Sequence, residues 1–189
     1  GLVGSEMCIR DSRNTDWWMG FTRKDLCNWT PWIVSNVMFS ARCLLDDPLP
    51  VYRRACGMLD AYLRCIPADG GCDEGAAYWN MAAGSLLDCL ELMAEAGLNC
   101  WDDPKLRNML RFPLLMSLGN GYFANFADCD ARPVMYGERL QRAGELLRDA
   151  ALTAMGQNLR GQPTDCIGDV PHFSRLLQRL FHPAGAGQT

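Results

Sequence analysis

The chain has 189 residues, a formal net charge of -4 at pH 7, and 49% apolar residues of which aromatics make 10% of the whole, enough for one domain with an ordinary core. No lysine or arginine run supplies a footprint for nucleic acid or an anionic membrane surface. No apolar run approaches the roughly twenty residues of a membrane span, because Arg42, Arg53, Arg64, Asp88 and Glu91 interrupt every candidate.

Gly1 to Ser12 has neither helical nor strand periodicity and resembles a translated sequencing adapter, so it is set apart from the fold. On that reading the chain is a gene fragment and its localisation, cytoplasmic or periplasmic in a bacterium, cannot be read. The expected organisation is a non-native segment over 1–12, a helical domain over 13–182, and a frayed or truncated tail over 183–189.

From Pro31, the positions Val34, Val37, Met38, Ala41, Leu44 and Leu45 repeat at helical spacing and stop at Asp46-Asp47-Pro48. Pro50 suits the first turn of a second helix, whose apolar face runs through Ala55, Met58, Leu59 and Tyr62 to Ile66 before Pro67. A third helix is predicted from about Tyr78 to Glu95, closing at Gly97. A fourth begins at Asp102-Asp103-Pro104 and runs towards Gly119, with a kink expected at Pro113. The fifth is read as one helix from Val134 to Leu159, and a short sixth from Pro171 to about Phe181. No segment alternates convincingly as a strand, and the chain reads as all-α.

Ten cysteines contain no Cys-x-x-Cys pair, which argues against zinc. Cys43, Cys56, Cys65 and Cys89 fall at apolar helix positions, where free cysteine packs as a small hydrophobe in a reducing compartment rather than as a disulfide framework. No phosphate loop, nucleophile elbow or metal-ligand histidine pair occurs, so no metal and no cofactor is expected. His172 stands far along the chain from the segments described next.

Three connections are rich in polar and aromatic residues: Asn28 to Trp32, Asp69 to Trp79, and Asn120 to Asp128. Plain acidic-proline turns alternate with them. In antiparallel helix hairpins alternate loops fall at one end, so the rich segments should share an end of stacked hairpins, as in an α/α toroid or a solenoid. The second segment sets Tyr78 beside Asp73 and Glu74 behind three glycines. Tyr78 can carry a proton, or it can pair with Trp79 to cap a helix, its hydroxyl on a loop carbonyl. Asn28 can bind an anionic group or cap the first helix. Trp29, Trp32 and Trp79 can stack on sugar rings or fill a core. Asp73 and Glu74 raise glycoside hydrolysis, the usual work of paired carboxylates.

In order and spacing, Asn28-Trp29-Thr30-Pro31-Trp32-Ile33-Val34-Ser35-Asn36, Asp69-Gly70-Gly71-Cys72-Asp73-Glu74-Gly75-Ala76-Ala77-Tyr78-Trp79 and Tyr122-Phe123-Ala124-Asn125-Phe126-Ala127-Asp128 resemble the heparinase II/III-like polysaccharide lyases over about Trp17 to Phe181. The resemblance implies an incomplete α/α toroid whose family partner, a C-terminal β-sandwich with a catalytic histidine, is absent from this chain. It implies cleavage of uronic-acid polysaccharides by β-elimination. Tyr78 then matches the general acid or base and Asn28 the residue that hydrogen-bonds the uronate carboxylate, with Trp29, Trp32, Glu74, Trp79 and Asn125 against an anionic polysaccharide or oligosaccharide. Many relatives carry histidine where this chain has Trp29. The opposed expectations are a non-catalytic carbohydrate-binding toroid and a hydrolase working through Asp73 or Glu74.

Overall fold

The structure, a computed structural model, describes residues 16–21, 25–98 and 103–160. The expectations for 1–12, for a helix from Pro171, for His172 and for the tail over 183–189 lie outside them. The described residues are mainly helical and form two compact units, the first containing residues up to Cys72 and Tyr78–Met109, the second Asp73–Ala77 and the chain from Leu110 onward. None of their helices is long and apolar enough to cross a membrane.

The first unit holds a 3-10 turn, Trp17–Met19, and helices α1 (Trp29–Leu44), α2 (Leu49–Cys65) and α3 (Ala83–Glu95). Asp47 Oδ1 accepts from the Leu49 amide at 3.0 Å and Pro50 sits in the first turn, so the acidic-proline turn starts α2 as its composition predicts. The end of α3 is a Schellman closure: Leu98 N–H reaches the Met93 carbonyl at 2.9 Å across Gly97, at φ 80°. Met38, Tyr52, Leu59, Tyr62, Leu86, Leu87 and Met93 are buried. Burial pushes the Tyr52 phenol up to about 12, with Arg42 opposing and Glu95 adding to the rise. Tyr52, near the start of α2, thus feels the C-terminal ends of both α1 and α3. Those two helices run the same way and pack against each other, while α2 returns along the other side of α1.

Helix α4 (Pro104–Met116) continues through Pro113 and links the units in sequence. The second unit continues with a two-stranded antiparallel hairpin, β1 (Ser117–Gly119) and β2 (Tyr122–Phe123), then α5 (Gly137–Leu147) and α6 (Ala150–Leu159).

Three readings need correction. The Asn120-Gly121 step is a hairpin turn with both residues at positive φ, 53° and 77°, so a short sheet stands where none was expected. The helix read from Val134 to Leu159 is two: Arg148 turns left-handed at φ 53°, and Asp149 caps α6 by accepting from Ala151 and Leu152 amides at 3.1 Å each. The helices fold back because Gly144 and Gly156 admit close approach. A β-carbon on Gly144 would meet Thr153 N at 2.4 Å, and one on Gly156 would meet Gln141 N at 2.1 Å. Finally, α3 begins at Ala83; Tyr78 and Trp79 lie on a separate 3-10 turn, Ala76–Asn80, closed by Met81 N–H on the Tyr78 carbonyl at 3.0 Å.

Candidate functional site

In the first unit, Asn28 leads into α1 and Tyr78 into α3, and because these helices run the same way both residues lie at one end of the unit. Asn28 is 5% exposed. Its side chain makes no capping bond to α1, so the cap role weighed from sequence is not the one it plays. Tyr78 is half-buried, and among the described residues no hydrogen bond holds its hydroxyl. Among the described residues, no loop carbonyl accepts from that hydroxyl.

The tryptophans divide. Trp29 is 50% exposed and Trp32 half-buried, their ring centroids 6.3 Å apart and edge to face. Trp79 is 1% exposed, and its indole nitrogen donates to the Met109 carbonyl at 2.9 Å. It is a core residue, with no open face for a sugar ring. The core alternative is the one this tryptophan takes.

In the second unit the two other rich segments pack together. Ala77 N–H donates to the Cys129 thiol at 3.4 Å, and Cys129 is buried. Gly75, at φ 89°, lies so close that a β-carbon there would meet Cys129 Cβ at 2.4 Å. This contact carries Glu74 towards Asp128. Burial first, then the negative charges of Asp128 and Asp73, raise the Glu74 carboxyl above the ordinary carboxylate range. Asn125 is exposed on the same loop, beside Phe126 at 41% exposure. Arg132 stacks its guanidinium 4.0 Å from the Tyr122 ring centroid.

A cavity of about 220 Å³ opens between α1 and α2 beside Trp18, lined by Val34, Val37, Val51, Met58 and the Arg54 side chain. None of the expected site residues lines it. Among the described residues no cluster of histidine, cysteine and acidic side chains could hold a metal ion. The described cysteines form no disulfide; Cys89 is buried, Cys56 and Cys65 are half-buried, and Cys43 is exposed rather than packed as its helical position suggested.

Sequence reasoning missed Trp17, whose ring centroid lies 6.0 Å from that of Trp29, and Cys129. The Trp17-Trp18 doublet was a visible signal for the first; nothing local marks Cys129. Comparison with protein-family models and with curated proteins finds no match to this chain.

Proposed function

We propose that the chain is the α/α toroid portion of a uronate polysaccharide lyase, the activity implied by its resemblance to the heparinase II/III-like enzymes. The observation that carries the reading is the pair at one end of the first unit: a half-buried Tyr78 whose hydroxyl no described residue holds, and the buried amide of Asn28. The C5 proton of a uronate is hard to remove because the adjacent carboxylate is already negative. A hydrogen bond from the Asn28 amide lets that carboxylate take up enolate-like charge. Tyr78 takes the C5 proton or protonates the departing O4, and a C4–C5 double bond forms as the glycosidic bond breaks. The first turn of α1 holds no acidic side chain, so the positive end of its dipole favours an anionic sugar.

Elimination yields an unsaturated uronate that absorbs in the ultraviolet, which hydrolysis does not. Alginate and heparan sulfate, incubated with a polypeptide that also carries the β-sandwich implied by the resemblance, should give that absorbance. Reducing ends without it would support a second reading, a hydrolase using Glu74, whose raised carboxyl is suited to a general acid. Binding without either product would favour the carbohydrate-binding toroid.

A further inference from the structure

Tyr78 sits on a turn that is fastened on both sides of it. With three residues per 3-10 turn, Ala76 and Trp79 of Ala76–Asn80 fall on one face, and both are buried, while Tyr78 between them is half-buried. After Tyr78, the Trp79 indole nitrogen donates to the Met109 carbonyl at 2.9 Å. Before it, the Ala77 N–H donates to the Cys129 thiol at 3.4 Å. That thiol is itself fixed. Its hydrogen goes to the Asp130 carbonyl at 3.3 Å, which leaves a sulfur lone pair for Ala77, and the Cys129 N–H closes a turn on the Phe126 carbonyl at 3.0 Å. Gly75 lies against the same side chain so closely that a β-carbon there would run into Cys129 Cβ.

Resting on the lyase reading, we propose that these two contacts position the Tyr78 hydroxyl for proton transfer, and that Cys129 is a positioning residue acting through the Ala77 amide. The hydroxyl stands at the end of a long side chain, so a small tilt of the turn is magnified where the proton moves. A misplacement of about 1 Å costs a reaction about 10²-fold. Backbone bonds secure the exit from Tyr78, since the Met81 and Ala82 amides both donate to its carbonyl, at 3.0 and 2.9 Å. The entry is secured by sulfur, a weak acceptor, so removing that bond tilts the turn rather than unfolding the loop. Cys129 reaches Tyr78 across 52 residues of chain, by way of the amide immediately before it.

The test compares two variants in the polypeptide that also carries the β-sandwich. Cys129→Ala keeps the β-carbon against Gly75 but removes the acceptor, whereas the hydroxyl of Cys129→Ser can still take the Ala77 N–H. Formation of the unsaturated uronate gives kcat and KM, with rates taken per folded molecule from circular dichroism. Cys129→Ala should lower kcat about tenfold and leave KM within about twofold, and Cys129→Ser should recover most of the loss. In a Tyr78→Phe background the same Cys129→Ala change should cost nothing further, because the hydroxyl it positions is gone. A merely structural role would lower the thermal midpoint and leave kcat alone. That result, or equal losses with and without the Tyr78 hydroxyl, overturns the proposal. The NMR resonance of the Tyr78 ring, assigned by its absence in Tyr78→Phe, reads the position without turnover: Cys129→Ala should shift or broaden it, and an unchanged resonance overturns the proposal. If no uronate polymer yields the unsaturated product, the lyase reading fails by itself, and the ring resonance still decides whether Cys129 positions Tyr78.

Discussion

The Trp79 indole nitrogen donates to the Met109 carbonyl at 2.9 Å, and Met109 stands four residues before Pro113 in α4. Proline has no amide hydrogen, so within the helix this carbonyl lacks its usual donor. The indole fills the vacancy. An aromatic residue that the sequence pattern offered as a sugar platform thus closes a defect in a helix.

Trp79→Phe keeps most of the packing and removes the donor, leaving a buried carbonyl unsatisfied. We expect a loss of about 1–3 kcal/mol in urea unfolding. Pro113→Ala restores a backbone donor to Met109, so the same Trp79→Phe change should cost less in that background. The difference across the double-mutant cycle measures the coupling, expected at about 1 kcal/mol or more. Additive effects would mean that the indole and Pro113 are unrelated.

Gly75 and Gly97 both have positive φ, 89° and 80°, but only Gly75 has a neighbour, Cys129, in the way of a β-carbon. Gly97→Ala should cost about 1 kcal/mol for the backbone conformation alone. Gly75→Ala adds the contact and should cost about 1–3 kcal/mol more. It should also speed hydrogen exchange at the Ala77 amide, which bonds to Cys129. Equal costs at the two glycines would show that the loop yields freely.

Glu74 is held towards its protonated form by burial and by Asp128 and Asp73. A carboxyl whose folded pKa lies above its unfolded one binds more protons in the native state, so its contribution to stability falls as pH rises from the unfolded value through the folded one. Above that window the ionised Glu74 is a cost. Glu74→Gln should therefore raise the thermal midpoint at pH 7 and flatten the fall in stability between mildly acidic and neutral pH. A midpoint lowered at pH 7 would mean that the charge is stabilising.

Helices α1 and α2 could be read almost to the residue because their signals are local: apolar spacing, Asp47 and Pro50. The same period misled between Val134 and Leu159, since α5 and α6 keep it while Asp149 and two packing glycines, signals easily absorbed into a long helix, divide them. The hairpin was announced by Asn120-Gly121, but strands of three and two residues are too short to display alternation. At the candidate site, Asn28, Trp29 and Tyr78 stood out by composition. Trp79 could not be told from a ligand-facing aromatic, because its fate depends on a carbonyl thirty residues away. Cys129 acts through packing against Gly75, which has no sequence pattern.

The central claim turns on one hydroxyl. Tyr78→Phe keeps the ring and removes the proton carrier, so the initial rate of ultraviolet absorbance on a uronate polymer, followed alongside an unchanged thermal midpoint, should fall by about 10²-fold or more. A variant that forms the unsaturated product at the wild-type rate would contradict the account.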